Sequence, residues 1–253
     1  MKYALDGGLG EWSADVCSAA ARGGHLDCLM FARQNGCPWD DNVTLMASEK
    51  APDVNIRFVN HTKPQDAEVE LLREAEAKRL DLENRRFACL QFALQHNCPI
   101  HKDACTSAAA GGQLRSLQLL HDRVPPAPWD ADTTLAAAEV GSLECLTYLH
   151  RQHCPWDTRA PEAAAKRGDV ACLRYCIGNW YPYDADFMRH AAAASTGSLA
   201  CLKYLIGEQG MYMNDDGSVF GAALLRGDLE CVRYLINFDC PFRSYKFQDG
   251  QGW

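Results

Sequence analysis

A cysteine recurs along this chain within a fixed apolar frame. It precedes Leu or Val and follows Leu, Val or Phe by two residues, at Cys28, Cys89, Cys145, Cys172, Cys201 and Cys231. From Cys145 onward the separations are 27, 29 and 30 residues, and five of the six cysteines follow a Gly by four positions. A period of this length is typical of stacked helical repeats. A residue that recurs in every repeat is then expected to pack, and function is expected where repeats differ.

One repeat, Thr134 to Asp157, contains the local signals of a helix–turn–helix. Thr134 to Val140 is rich in alanine, which favours a helix and lets neighbouring backbones approach closely. Gly141 is placed to end this helix, and Ser142 to cap a second one. The segment Cys154-Pro155-Trp156-Asp157 then predicts a turn, because proline disfavours helical geometry in the residue before it. The same frame predicts seven repeats, of which the second is partial.

The recurring alanine run, Gly and Leu-x-x-Leu core, followed by a loop, resemble those of ankyrin-repeat proteins. The resemblance covers residues 13–50 and 84–243, and the Cys-Pro-Trp-Asp connection is similar to a divergent ankyrin class. The Thr-Pro-Leu-His opening and the glycine of the β-hairpin tip are missing, and the period is shorter than usual. The resemblance therefore implies an all-α ankyrin-type solenoid with short connections in place of long β-hairpins. We expect a single domain spanning residues 1–253, with a tail or cap at 244–253.

The repeat pattern breaks between about residues 50 and 86. Residues 66–88 are rich in Glu, Arg, Leu and Ala, which predicts a charged amphipathic helix that runs into the second helix of repeat two. This segment is either a solvated insertion or a degenerate repeat with a lengthened helix. Alternatively, it is an element that docks on a specific partner.

Composition limits the kinds of partner. The net charge is −8, and phosphate affinity depends largely on Lys and Arg, so we expect no nucleic-acid binding. We also expect no membrane insertion, because no apolar run approaches 18 residues. The number of cysteines, thirteen, is odd, and their phase with the repeat predicts free core thiols rather than bridges. Free thiols indicate a reducing compartment, so we expect an intracellular, cytoplasmic location.

Groups of potential ligands or nucleophiles occur, but none has the spacing of a known site. His25 with Cys28, and His153 with Cys154, are the clearest examples. Neither forms a zinc-type pair of Cys-x2-Cys knuckles, and adjacent residues do not normally face each other. We therefore expect no catalytic residues, no metal and no cofactor, and a chain that is not an enzyme.

The resemblance implies that residues between the alanine run and the Gly face a concave groove, where ankyrin stacks bind proteins. The residues that vary there are Arg22, Glu139, Val140, Lys166, Arg167, Ser195, Thr196, Leu225 and Arg226. Trp39, Trp129 and Trp156 either pack under the connections or line a binding ridge, since Trp is enriched at interface hot spots. The sequence thus predicts a non-catalytic protein-interaction scaffold. A structural subunit of a large assembly and a substrate adaptor for ubiquitin ligation are the alternatives.

Overall fold

A computed structural model of the protein describes residues 12–52, 66–179, 187–194, 197–211 and 217–238. The chain divides into two compact units, Met1–Trp129 and Asp130–Trp253. Each unit consists of helix pairs, and the described residues contain no strand. The predicted all-α repeat of helix pairs is confirmed.

The described residues of the first unit form three helix pairs. In each pair the chain forms a first helix, turns, and returns as a second helix. The helices are α1 (Ala14–Arg22), α2 (Leu26–Gln34), α3 (Asn42–Ser48), α4 (Asp66–Gln95), α5 (Ala104–Ala110) and α6 (Leu114–His121). The helix predicted over residues 66–88 is confirmed as the N-terminal part of α4, whose C-terminal end serves as the second helix of pair 2.

The second unit contains four helix pairs among its described residues. Its helices are α7 (Ala131–Val140), α8 (Leu143–Arg151), α9 (Arg159–Arg167), α10 (Val170–Gly178), α11 (Phe187–Ala193), α12 (Ser198–Leu202), α13 (Ser218–Arg226) and α14 (Leu229–Asn237). The helix α12 continues directly as a π-helix, Lys203–Glu208. The first helix of pair 4 begins at Ala131, three residues before the predicted start at Thr134.

Alanine lets the first helices of neighbouring pairs pack against one another. Within the second unit α7 packs on α9, α9 on α11, and α11 on α13. The central alanines of these helices, such as Ala137 and Ala164, are completely buried. The second helices contribute the large apolar side chains of the core, including Leu146 and Leu173. Burial of one such leucine contributes about 1.5–3 kcal/mol.

The turn glycines are required by their backbone conformation, and Gly197 is required by space as well. Gly168 and Gly197 have φ values of +77° and +65°, which residues other than glycine rarely adopt. A Cβ atom on Gly197 would also lie 2.1 Å from the carbonyl oxygen of Gly168 in the preceding pair. Gly197 thus allows pair 6 to approach pair 5 closely. The second helix begins immediately after the turn, and the Ser142 side chain caps α8 by accepting a hydrogen bond from the Cys145 N–H.

The cysteine of the second helix in pair 7 faces the preceding pair. Cys231 in pair 7 lies with its Sγ 2.9 Å from Ser198 Oγ in pair 6. All repeated cysteines described from Cys89 onward are completely buried, as the packing interpretation predicts. Cys28 is the exception and is exposed, because the described residues place no pair before α1. The twelve described cysteines are free thiols.

The connections are short and are held to their own pair by two hydrogen bonds. In pair 4 the Cys154 thiol donates to the Asp130 carbonyl over 3.3 Å, and the Thr134 hydroxyl donates to the Pro155 carbonyl over 3.1 Å. Pair 2 repeats both contacts: Cys98 donates to the Asp40 carbonyl and Thr44 to the Pro99 carbonyl, each over 3.3 Å. The cysteine of the connection is therefore a structural donor, and the first-helix threonine has the same function.

The aspartates that follow Trp39, Trp129 and Trp156 cap the next helix or turn. Asp130 accepts a hydrogen bond from the Asp132 N–H over 3.0 Å and forms a capping box with Thr133. Asp40 and Asp157 accept in the same way from the N–H groups two residues later, over 3.1 and 2.9 Å.

Candidate binding surface

The variable residues proposed for binding lie at the C-terminal ends of the first helices. Their side chains are exposed except that of Val140, which is half-buried; the exposed residues are Arg22, Glu139, Lys166, Arg167, Leu225 and Arg226. Ser195 and Thr196, from pair 6, lie outside the described residues. The alanines that precede these positions are buried. The recurring alanines therefore form the packed part of each first helix, and the exposed side chains at its end differ from pair to pair. We refer to the ends of the first helices as the helix-end surface.

Two cations of the helix-end surface are held by contacts within their own helix or with a neighbouring first helix. The Arg167 guanidinium donates through Nη1 to the Glu139 carbonyl, 3.1 Å away, at the end of α7. Lys166 pairs with the Glu162 carboxylate, from which His190 of α11 also lies 3.1 Å away. These contacts orient Lys166 and Arg167 while leaving both side chains open to solvent. Preoriented cations lose less conformational entropy when they bind an anionic group.

Sequence reasoning missed one residue that packs beneath the helix-end surface, Arg86. It is 4% exposed, and its Nε donates to the Arg22 carbonyl over 2.6 Å. Its Nη1 donates to the carbonyls of Glu49 and Lys50 over 3.0 and 3.1 Å. Arg86 therefore supplies donors to the ends of α1 and α3, while Arg22 and Glu49 form an ion pair of 3.3 Å beside it.

A signal for Arg86 was present in the sequence. It occupies the position three residues before the repeated cysteine, where pairs 4, 5 and 7 have the caps Ser142, Asp169 and Asp228. No cap is needed in pair 2, because α4 runs through this position without starting there. Arg86 thus occupies the position of a cap, but it donates hydrogen bonds where the capping side chains accept them. Burial lowers the pKa of Arg86, an effect that the nearby Glu49 carboxylate opposes.

The three tryptophans lie at the other end of their pairs, against the end of the second helix. Trp129 stacks on His121 with ring centroids 3.4 Å apart, and Trp156 meets His150 edge-on at 6.2 Å. Trp39 lies under the Arg33 guanidinium, 4.1 Å from the ring centroid. All three are half-buried. The helix-end surface lies where the first helix ends and the second begins, whereas the tryptophans lie where the second helix ends. The two groups are therefore separated by the length of a helix.

The N-terminal part of α4 forms a second exposed surface, which we call the α4 extension (residues 70–85). One cleft of about 340 Å³ lies between it and Ala51-Pro52, and is lined by Leu71, Ala75 and Leu82 among others. A second cleft, of about 290 Å³, lies between α4 and the start of α6. Leu71 and Leu80, beside these clefts, are 56% and 58% exposed. Large apolar side chains that are exposed beside a cleft are common at protein interfaces.

Pair 7 departs from the others at the position three residues before the turn glycine. Pairs 1, 3, 4, 5 and 6 have a buried alanine there, and pair 7 has Leu224, which is 41% exposed. Ala21 is buried although no described pair precedes it, so this position faces the following pair. Leu225 and Leu229 beside it are 71% and 66% exposed. The far side of pair 7 is consequently apolar.

The buried cysteines of the second helices are poorly suited to nucleophilic chemistry. Burial raises the pKa of Cys89 and Cys231 to about 11 and of Cys201 to about 12, so these thiols are protonated at neutral pH. Among the described residues no group of three or more His, Cys, Asp or Glu side chains is placed to hold a metal ion. In the same part of the chain, no helix combines the length and apolarity needed to cross a bilayer.

Comparisons with known proteins gave matches among solved structures. No family model matches the chain, and no curated protein matches it. Among solved structures it is similar to the crystal structure of the human ASB11 ankyrin repeat domain, to which it is 16% identical. The likeness covers 93% of this chain and 88% of that one, with a TM-score of 0.49.

Proposed function

We propose that this chain is a non-catalytic scaffold that binds another protein through its helix-end surface. One observation supports this proposal: side chains that change from pair to pair are exposed on a frame whose packing residues are nearly constant. Repeat proteins recognise partners through such surfaces. The buried free thiols support a reducing compartment, which fits an intracellular, cytoplasmic scaffold.

Charge reversal at the helix-end surface tests the proposal. The tagged protein is used to purify partners from its native source, and a partner identified by mass spectrometry is then produced on its own. A variant with Glu at Lys166, Arg167 and Arg226 should bind this partner at least tenfold more weakly at an unchanged melting temperature. Arg151, Lys203 and Arg233 are also exposed cations, but belong to second helices or their π-helical continuation, so their reversal is the matched control. Equal losses in both variants would contradict binding at this surface.

A second candidate function is that of a structural subunit that attaches to an assembly through the α4 extension. The two clefts and the exposed Leu71 and Leu80 favour it. Glu substitution of both leucines should then release the protein from its complex, as measured by size-exclusion chromatography with light scattering. Glu substitution at Ala77, which is exposed on the same helix but lines neither described cleft, is the control. Retention of the complex by the double variant would contradict this function.

A further inference from the structure

Pair 1 holds its connection differently from pairs 2 and 4. In those pairs a buried first-helix threonine donates to the carbonyl of the connection proline, as described for Thr134 and Thr44. The equivalent residue of pair 1 is Cys17, seven positions before the turn glycine. Its thiol lies 3.4 Å from the Sγ atom of Cys37, the connection cysteine. Two thiols therefore stand where the other two pairs have a hydroxyl and a thiol.

The two thiols are enclosed together. Cys17 and Cys37 are both completely buried, and the Cys37 thiol also lies 3.3 Å from the Ser13 carbonyl at the start of α1. In pairs 2 and 4 the connection thiol shares this space with a threonine, which cannot form a sulfur–sulfur bond. In pair 3 the roles are reversed, since Cys105 occupies the first-helix position and Ala127 the connection. Among the described pairs, pair 1 alone combines a cysteine at both positions.

We propose that Cys17 and Cys37 are a redox-sensitive pair, which a peroxide converts to a disulfide that fastens the connection of pair 1 to α1. The Cys37 thiolate attacks one peroxide oxygen, the O–O bond breaks, and a sulfenic acid and one water form. The Cys17 thiolate then attacks the Cys37 sulfur, the S–S bond forms, and the S–O bond breaks to release a second water. The two thiols lose two electrons, and hydrogen peroxide is reduced to two molecules of water.

The connection has the freedom that this reaction requires. A disulfide bond is about 2.05 Å long, so the sulfur atoms must approach by about 1.4 Å from their 3.4 Å separation. Gly36, next to Cys37, has a φ of +80° and open space around the position of a Cβ, so no side chain at this residue obstructs the movement. Burial and the neighbouring Cys37 raise the pKa of Cys17 to about 12. The reaction should consequently accelerate as the pH rises, because more thiolate is present.

The test is peptide mapping of the full chain without reductant after treatment with hydrogen peroxide at pH 7 and pH 8.5. All proteins carry Cys28→Ser, so that the exposed thiol does not form links between molecules. We expect a Cys17–Cys37 linked peptide, formed faster at pH 8.5, and a rise in Tm of several degrees that dithiothreitol reverses. Cys17→Thr restores the side chain of pairs 2 and 4, and should fold while losing both responses. Cys105→Thr changes the same position in pair 3 and should keep them.

A positive control comes from pair 3. The variant Ala127→Cys places a thiol opposite Cys105 and should form the corresponding link under the same conditions. The proposal is overturned if Cys105 and the new cysteine become linked while Cys17 and Cys37 stay reduced. It is also overturned if neither pair is linked at pH 8.5 under conditions that fully oxidise Cys28 of the unsubstituted protein. A link from Cys17 or Cys37 to Cys98 would overturn it as well.

Discussion

Arg86 illustrates how a single residue can join two helix ends. Its guanidinium has three described carbonyl acceptors, on Arg22, Glu49 and Lys50, at a site that is 4% exposed. The carbonyls at a helix C-terminus have no partners within the helix and must be satisfied in other ways. Arginine suits this place because its planar fork presents several donors and keeps its charge when buried.

Removal of this side chain should be costly. We expect Arg86→Ala to lower the free energy of unfolding by about 3 kcal/mol, because buried carbonyls lose charge-assisted hydrogen bonds. Urea denaturation followed by circular dichroism measures the change. The neighbouring Arg85, which forms an exposed ion pair with Asp81, is the control, and its replacement by Ala should cost less than about 1 kcal/mol. Similar values for the two variants would contradict the bridging role of Arg86.

The cap at Asp228 should make stability depend on pH. Hydrogen bonds donated by the Cys231 N–H and thiol lower the pKa of this carboxyl group below its ordinary value of 3.8. A group whose pKa falls on folding contributes stability above the unfolded pKa and loses it as the pH falls through the folded pKa. Asp228→Asn should therefore flatten the decline in Tm below about pH 4. An equally steep decline in the variant would show that Asp228 does not contribute to it.

At the scale of the element, sequence and structure agree wherever a local rule decides. The capping serine at Ser142, the terminating Gly141 and the helix beginning near residue 66 depend on short-range signals, and all three are confirmed. The π-helical continuation of α12 was not predicted. It brings Glu208 to Arg174 of the preceding second helix, an ion pair between residues 34 apart in sequence. A contact of this range has no signature in a local pattern.

The two reasons for a turn glycine can be separated experimentally. Gly197 and Gly227 occupy the same motif position with φ of +65° and +69°, but a Cβ on Gly197 meets the Gly168 carbonyl, whereas one on Gly227 meets nothing within 4 Å. Gly227→Ala should cost about 1–2 kcal/mol, from backbone conformation alone. Gly197→Ala should cost at least about 1 kcal/mol more, through steric displacement of the neighbouring turn. Thermal denaturation compares them, and equal losses of Tm would exclude a packing contribution.

At the scale of the whole molecule, the repeat pattern predicts most of the buried packing residues and few of the contacts at the surface. The frame depends on residue types that recur in phase, such as Ala164, Leu146 and Cys145, and their burial is a consequence of stacking. The surface depends on contacts between different pairs, such as Arg167 with the Glu139 carbonyl, which the spacing within one repeat does not encode. The exposure of Cys28, with the same motif as five buried cysteines, likewise results from its place in the array.

Thiol accessibility should report this arrangement. Brief treatment of the folded protein with iodoacetamide at pH 8 should modify Cys28 at least tenfold faster than Cys89, Cys145 or Cys201. The latter are fully buried, and burial raises their pKa, so both access and thiolate formation are suppressed. Peptide mass mapping measures the rates, and complete unfolding in guanidinium should make them similar. Rapid modification of Cys145 in the folded protein would contradict the packing of the second helices.

Leu224 also bears on how such an array can lengthen in evolution. Repeat arrays grow when a segment is duplicated and the copies stack on their neighbours. A copy placed between two existing pairs meets alanine at the position equivalent to Leu224, and the backbones can approach. A copy placed directly after pair 7 meets a leucine, whose extra volume holds the new helices away until it is replaced by a smaller residue. Lineages that gain repeats should therefore gain them upstream of residue 224.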